Sequence, residues 1–297
     1  MQAALTKDMP VLTIRHKTEY RYAKAVSFGE HRIMLRPRDG HDLKVIEARM
    51  TISPEPISLR WIHDVFGNSV GIARFDASES DRLVFESEVM IEHEPRHDIE
   101  LAQGDEAYLY PFDYPAEEMP DLGQSIARQH PDPEGKLEAW ARHFVKRDGP
   151  TNTRDLLADI THAIKTQFVY RRRHDPGVQA PLETLALGTG TCRDFALFMI
   201  EAVRSLGFAA RFVSGYLHVP SLSSHVGGGS THAWVQVYLP TAGWVEFDPT
   251  NGIVGSRDLI RVAVARMPRQ ALPLCGTFTG ERKDSLGMSV DIDVVAG

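Results

Sequence analysis

Between residues 11 and 93 polar and apolar positions alternate with a period near two, the spacing of a half-buried strand. Thr13, Arg15, Lys17 and Glu19 interleave with Ile14, His16, Thr18 and Tyr20, and clearer strand runs cover 45–52, 57–63, 69–75 and 83–91. Turn chemistry separates them at Arg38-Asp39-Gly40, Ser53-Pro54-Glu55-Pro56 and Phe66-Gly67-Asn68. Short strands in succession, with no helix-period segment between them, predict an all-β, sandwich-like N-terminal domain over 1–95.

The pattern then changes twice. Residues 96–132 carry Pro111, Pro115, Pro120 and Pro131 among Tyr108, Tyr110, Phe112 and Tyr114. Disordered linkers are poor in aromatics, so this is expected to be an ordered connector packed against both domains. Beyond it the period becomes helical. Pro133 suits a first helical position after Asp132, and Leu137, Trp140, Ala141, Phe144 and Val145 follow on one face. A second helix is predicted over 153–168 and a third from Cys192, followed by strands at 209–217, 231–239 and 244–248. Helices first and strands afterwards describe a segregated α+β domain, placed over 133–275. The tail, 276–297, alternates over 288–294 and is expected to return to one of the sheets.

Composition changes this picture little: 42% hydrophobic and 25% charged residues suit a globular chain of 297 residues. The net charge of −7 argues against a nucleic-acid partner. Arg171-Arg172-Arg173 is a local exception, read as a solvated loop. No apolar run is long enough to span a bilayer, and residues 1–10 lack the apolar core of a signal peptide. The two cysteines, Cys192 and Cys275, form neither a disulfide framework nor a metal pair, so a reducing, cytoplasmic location is expected.

Candidate chemistry concentrates in Gly188-Thr189-Gly190-Thr191-Cys192-Arg193-Asp194. With Thr191 as N-cap, Cys192 opens a helix and Asp194 completes a capping box. Phe195, Met199, Ala202, Val203 and Leu206 make its apolar stripe, and Gly207 suits its C-terminal cap. A thiol at a helix N-terminus meets unpaired N–H groups and the positive end of the dipole, which favour the thiolate and can receive an oxyanion. A free cysteine is more often a small buried hydrophobe. Glycines at 188 and 190, which clear an approach for an acyl donor, favour a nucleophile here, whereas Cys275 has no such context.

His218 and His225 flank the Ser/Gly-rich segment 221–230 and read as loop histidines, whereas His232 opens a strand and would be held firmly. Asp248 lies on the next strand. It also reads as a turn residue before Pro249. A four-residue connection over 240–243 would put His232 and Asp248 on opposite faces. A three-residue (240–242) or five-residue (239–243) connection makes them diagonal neighbours, about 7–8 Å apart at the backbone.

Taken together, Gly190-x-Cys192-x-Asp194-x-Ala196, the run 207–216, His232-Ala233-Trp234 and Asp248-Pro249-Thr250 resemble the transglutaminase-like superfamily. His16-Lys17-Thr18-Glu19-Tyr20, Arg32-Ile33-Met34-Leu35-Arg36-Pro37 and Asp64-Val65-Phe66-Gly67-Asn68 resemble the β-rich region preceding such cores in bacteria. The resemblance implies a papain-like core with Cys192 as nucleophile, His232 as base and Asp248 as its partner. The implied reaction runs through an acyl-thioester on a protein, peptide or amide substrate, with hydrolysis favoured over transamidation. A non-catalytic scaffold for protein interaction is the alternative. Two features depart from relatives of this fold. Papain-type proteases carry an oxyanion-hole glutamine six residues before the cysteine, where this chain has Ala186. A second donor beside the Cys192 N–H must therefore come from elsewhere, and Tyr170, just after the preceding helix, is the candidate. No loop has the spacing that would carry over the calcium of animal transglutaminases, so no metal or cofactor is expected.

Overall fold

The computed structural model describes residues 10–94, 108–173, 177–218, 229–256 and 258–296. Its first half is strand-rich: β1 (Val11–Ile33), β2 (Leu43–Ser53), β3 (Ser58–His63), β4 (Ser69–Arg74) and β5 (Glu79–His93) pair antiparallel in the order β2-β5-β1-β4-β3. The alternation along β1 faces Ile14, His16 and Thr18 inward and leaves Arg15 and Lys17 exposed. The register of β1 slips between Arg21 and Val26, and such a bulge bends a strand. Beyond the slip, Val26, Phe28 and Ile33 pack with Leu83, Phe85 and Ile52 in a dry cluster.

After β6 (Leu109–Tyr110) come α1 (Met119–Ile126), α2 (Lys136–Arg142), β7 (Thr151–Asn152), α3 (Thr153–Gln167), β8 (Val169–Tyr170), α4 (Pro181–Leu187), β9 (Thr189–Gly190) and α5 (Cys192–Ser205). The strands β10 (Ala210–Leu217), β11 (His232–Leu239), β12 (Gly243–Asp248), β13 (Ile253–Val254) and β14 (Leu259–Ala265) then form an antiparallel sheet ordered β13-β12-β11-β10-β14. The molecule is thus α+β, with strands, then helices, then strands. The chain closes by returning: β15 (Leu274–Thr279) and β16 (Ser285–Ala296) both pair with β1. The alternating tail therefore completes the first sheet.

Three expectations change. The helix expected from Pro133 starts at Lys136 as α2, because the Asp132 carboxylate accepts the N–H groups of Lys136, Leu137 and Glu138 while Gly135 turns left-handed at φ 64°. The described connector aromatics contact the core: Tyr110 stacks on Phe208 at 5.3 Å, and Tyr114 Oη donates to the Tyr238 carbonyl and accepts the Ala209 N–H. Residues 119–126 of that connector, and 181–187, are helices that periodicity over so few residues does not reveal.

Helix α5 is the axis of the core. Its residues 194–204 are buried on every side, so the predicted stripe is only part of its contact surface. One side meets Ala233, Val235, Val237 and Phe247 of the sheet, and α2, α3 and α4 cover the others. Each fully buried Phe or Leu contributes about 1.5–3 kcal/mol. Three charged residues of α5, Asp194, Glu201 and Arg204, are buried as well. Glu201 and Arg204 pair at 2.8 Å, Glu201 Oε2 accepts the N–H groups of Gln129 and His130, and Arg204 donates to the carbonyls of Ser125 and Ala210.

The two sheets are joined by polar and apolar contacts. His16 on β1 is hydrogen-bonded to Tyr216 Oη at 2.9 Å, and burial pushes its pKa down to about 4. Asn68 donates to the Val264 carbonyl and accepts the Val264 N–H, while Met34, Val70 and Ile72 join the helical core.

Candidate active site

Thr191 caps α5. Its Oγ1 faces the Asp194 N–H at 3.5 Å, and the Thr191 N–H donates to Asp194 Oδ2 at 2.8 Å. Cys192 takes the first helical position, where its N–H has no intrahelical acceptor. Asp194 does more than cap. Fully buried, it accepts a bidentate pair from Arg173 (2.9 and 3.0 Å) and the Gln179 N–H at 2.7 Å. Burial raises its pKa, but Arg173 and these N–H donors outweigh that and hold it below the ordinary carboxylate value. Arg173 is therefore no solvated loop residue; its guanidinium anchors the start of α5.

The glycines answer to the backbone. Gly188 ends α4 in the left-handed region at φ 60°. Gly190 lies against the helix start, where a Cβ would sit 2.9 Å from Asp194 Cβ and 3.0 Å from Phe195 Cε1. Ala186 is within α4, and the side chain of nearby Gln179 is occupied by Thr184 Oγ1 and the Thr189 carbonyl. Tyr170, on β8 beside Gly190, is half-buried; burial first, and then the charge of a Cys192 thiolate, raise its pKa.

Leu239 pairs with Gly243, so 240–242 is a three-residue connection, with Thr241 at φ 67° and Gly243 at φ 72°. His232 and Asp248 share a face, and His232 Nε2 meets Asp248 Oδ2 at 2.8 Å. Both are buried, at 1% and 0% exposure, against 9% for Cys192. His232 Nδ1 is buried without a hydrogen bond of good geometry, yet Cys192 lies near enough to act on the ring. Burial disfavours the imidazolium, but the Asp248 charge, its hydrogen bond and Cys192 outweigh this and bring the His232 pKa up to about 10. Asp248 moves the other way: burial raises its pKa, and His232, Asn251 and the Thr250 N–H hold it low.

Asp248 is also a turn residue. Its Oδ1 accepts the N–H groups of Thr250 and Asn251, while its Oδ2 faces His232 and accepts Asn251 Nδ2 at 2.8 Å. Asn251 completes the group, with Nδ2 3.4 Å from His232 Nε2. Sequence reasoning passes over it; the Asx turn that brings it back to Asp248 is closed two residues on, by the Thr250 N–H.

Cys275 lies on β15 opposite Arg32, half-buried, with its pKa raised by burial. The His218 N–H donates to the Asp258 carbonyl. His225, and most of the segment 221–230, lie outside the described residues.

A family model described as the bacterial transglutaminase-like N-terminal region matches residues 12–92, and the transglutaminase-like superfamily model matches 138–249. An uncharacterized protein of Mycobacterium tuberculosis H37Rv is 28% identical over 291 residues, covering 94% of this chain and 91% of that one. An uncharacterized protein of Mycobacterium leprae is 27% identical over 303 residues, covering 96% and 99%. Among solved structures, a candidate cysteine protease from Cytophaga hutchinsonii shares the fold, with a TM-score of 0.70 and 16% identity over 98% of this chain and 92% of its own. This chain thus carries a transglutaminase-like superfamily core over residues 138–249, preceded by a bacterial transglutaminase-like N-terminal region over residues 12–92.

Proposed function

We propose that the chain is a cysteine-dependent acyl-transfer enzyme acting on amide or peptide bonds, with hydrolysis favoured over transamidation. The observation that carries this reading is the buried His232–Asp248 pair, whose remaining ring nitrogen is left for Cys192. In the reaction, Cys192 Sγ attacks the carbonyl carbon of the substrate as a thiolate. The oxyanion is received by the Cys192 N–H and Tyr170, and His232 Nδ1 delivers its proton to the departing amine. The acyl-thioester is then resolved by water, which passes a proton to His232 as the carboxylic acid leaves and the thiol is restored. Asp248 keeps the ring oriented and stabilises the imidazolium. The cytoplasm, a reducing compartment, would keep this thiol in working form.

A panel of peptide amides, with and without a labelled primary amine, tests the reading. Cys192-dependent release of ammonia or amine, faster than incorporation of the label, is the expected result. Faster incorporation would make the protein a transamidase. No turnover of any substrate, together with an unreactive Cys192, would leave the fold as an interaction scaffold.

A further inference from the structure

On the face of the second sheet that carries His232 and Asp248, but toward the other end of its strands, lies a cavity of about 480 Å³. Gln236 is four positions from His232 and Glu246 two from Asp248, about 13 and 7 Å along the strands. Cys192, His232 and Asp248 do not line it. The volume falls within the usual range for small-molecule sites.

The charges lining the cavity are unevenly matched. Arg261 has two carboxylate partners, with Nη1 on Glu246 Oε1 at 2.8 Å and Nη2 on both Asp42 oxygens at 3.2 and 3.3 Å. Glu246 Oε1 also accepts Gln236 Nε2 at 2.7 Å. Asp39 Oδ1 accepts the Val45 N–H, and Arg38 Nη1 donates to the Gly67 carbonyl. Arg211 differs. Its Nε donates to the neutral Gln236 Oε1 at 2.7 Å, and its Cζ stacks 3.9 Å from the centre of the Trp244 ring. Among the described residues, its two Nη groups meet no acceptor. They present a flat fork of N–H donors, held from behind by an indole and from the side by an amide, at the wall of the cavity. Burial and the neighbouring Arg261 cation disfavour the charge on Arg211, and Glu246 offsets this in part.

We propose that this cavity binds a small molecule through a carboxylate group, which the Arg211 fork receives bidentately beside Trp244. A planar carboxylate matches a guanidinium fork and supplies the single negative charge that Arg211 lacks. Phe66, Val262 and Val264 give an otherwise polar lining one apolar part that the body of that acid can meet. The site is independent of the acyl-transfer reading, because it shares none of the residues proposed for catalysis.

Benzoate and benzamide, which share a ring and differ in charge, are the probes. Titrated into the full-length protein and followed by tryptophan fluorescence and calorimetry, benzoate is expected to saturate one site. Benzamide is expected to bind about tenfold more weakly or worse, the worth of a charge-assisted pair. Arg211→Gln should lose a similar factor, and Trp244→Phe should remove the fluorescence response. Equal binding of the two probes, or no binding of benzoate, would overturn the proposal without depending on any variant. Stronger binding of inorganic phosphate than of benzoate would overturn the assignment to carboxylates.

Discussion

Asp248 serves two structures at once, with one oxygen in the turn after β12 and the other against His232. Asn251 links the two by donating to the same oxygen that faces His232. It is a positioning residue, and Asn251→Ala is expected to lower kcat about tenfold with little change in KM. The pH–rate profile of that variant should also shift, which loss of packing alone would not cause. Stopped assays from pH 5 to 9 check both, and an unchanged profile would contradict the role. His232 supplies a second prediction. Its pKa in the folded protein, about 10, stands above the ordinary 6.5. The charged ring therefore contributes stability that is complete below about pH 6.5 and is lost as pH rises through about 10. Urea unfolding at pH 6.5, 8 and 10 should show the wild type falling toward His232→Gln; parallel curves would count against the ion pair. The helix start at Cys192 and the strand positions of His232 and Asp248 were legible in the sequence, because capping residues and strand alternation act locally. Asn251 and Arg173 were not, because an amide and a guanidinium acquire a role only from what the fold places beside them.

At the scale of elements, the capped start of α5 was readable from Thr191 and Asp194, since the capping box is a local device. The sharing of a face by His232 and Asp248 turned on one residue of loop length, which the sequence left open and Thr241 and Gly243 decide through their positive φ. Short helices such as α4 gave too few turns for a period to emerge. The prediction here concerns the buried pair at the helix start. Asp194→Ala removes both carboxylate oxygens that Arg173 donates to, together with the acceptors of the Gln179 and Thr191 N–H groups, and leaves Arg173 the Gly177 carbonyl. Removing one partner of a buried ion pair costs about 3–5 kcal/mol, and discounting for the partial exposure and the remaining contacts of Arg173 leaves about 2–3 kcal/mol. Chemical denaturation would measure it. A loss below about 0.5 kcal/mol, the level of ordinary surface changes, would show that the network does not hold the helix start.

The molecule as a whole is closed by its last strands, which return across the chain to both halves of β1. The alternation of 288–294 was visible in the sequence, but its partner was not, since pairing across more than 250 residues has no local signal. The same holds for His16, which reads as an inward strand position and proves to be a neutral ring bonded to Tyr216 of the other sheet. Its pKa of about 4 lies below the ordinary 6.5, so its contribution to stability is full above pH 6.5 and is lost as pH falls toward 4. Denaturant unfolding across that window should be steeper for the wild type than for His16→Gln. Equal slopes would show that the buried ring does not govern the acid limb.

The central claim, that Cys192 is activated by the His232–Asp248 pair, is tested most directly by alkylation. The rate of iodoacetamide modification would be measured from pH 5 to 9 with Cys275 replaced by serine. The account predicts fast modification of Cys192 already at pH 6, lost in His232→Ala. A slow reaction at pH 6 that is indifferent to His232 would contradict it.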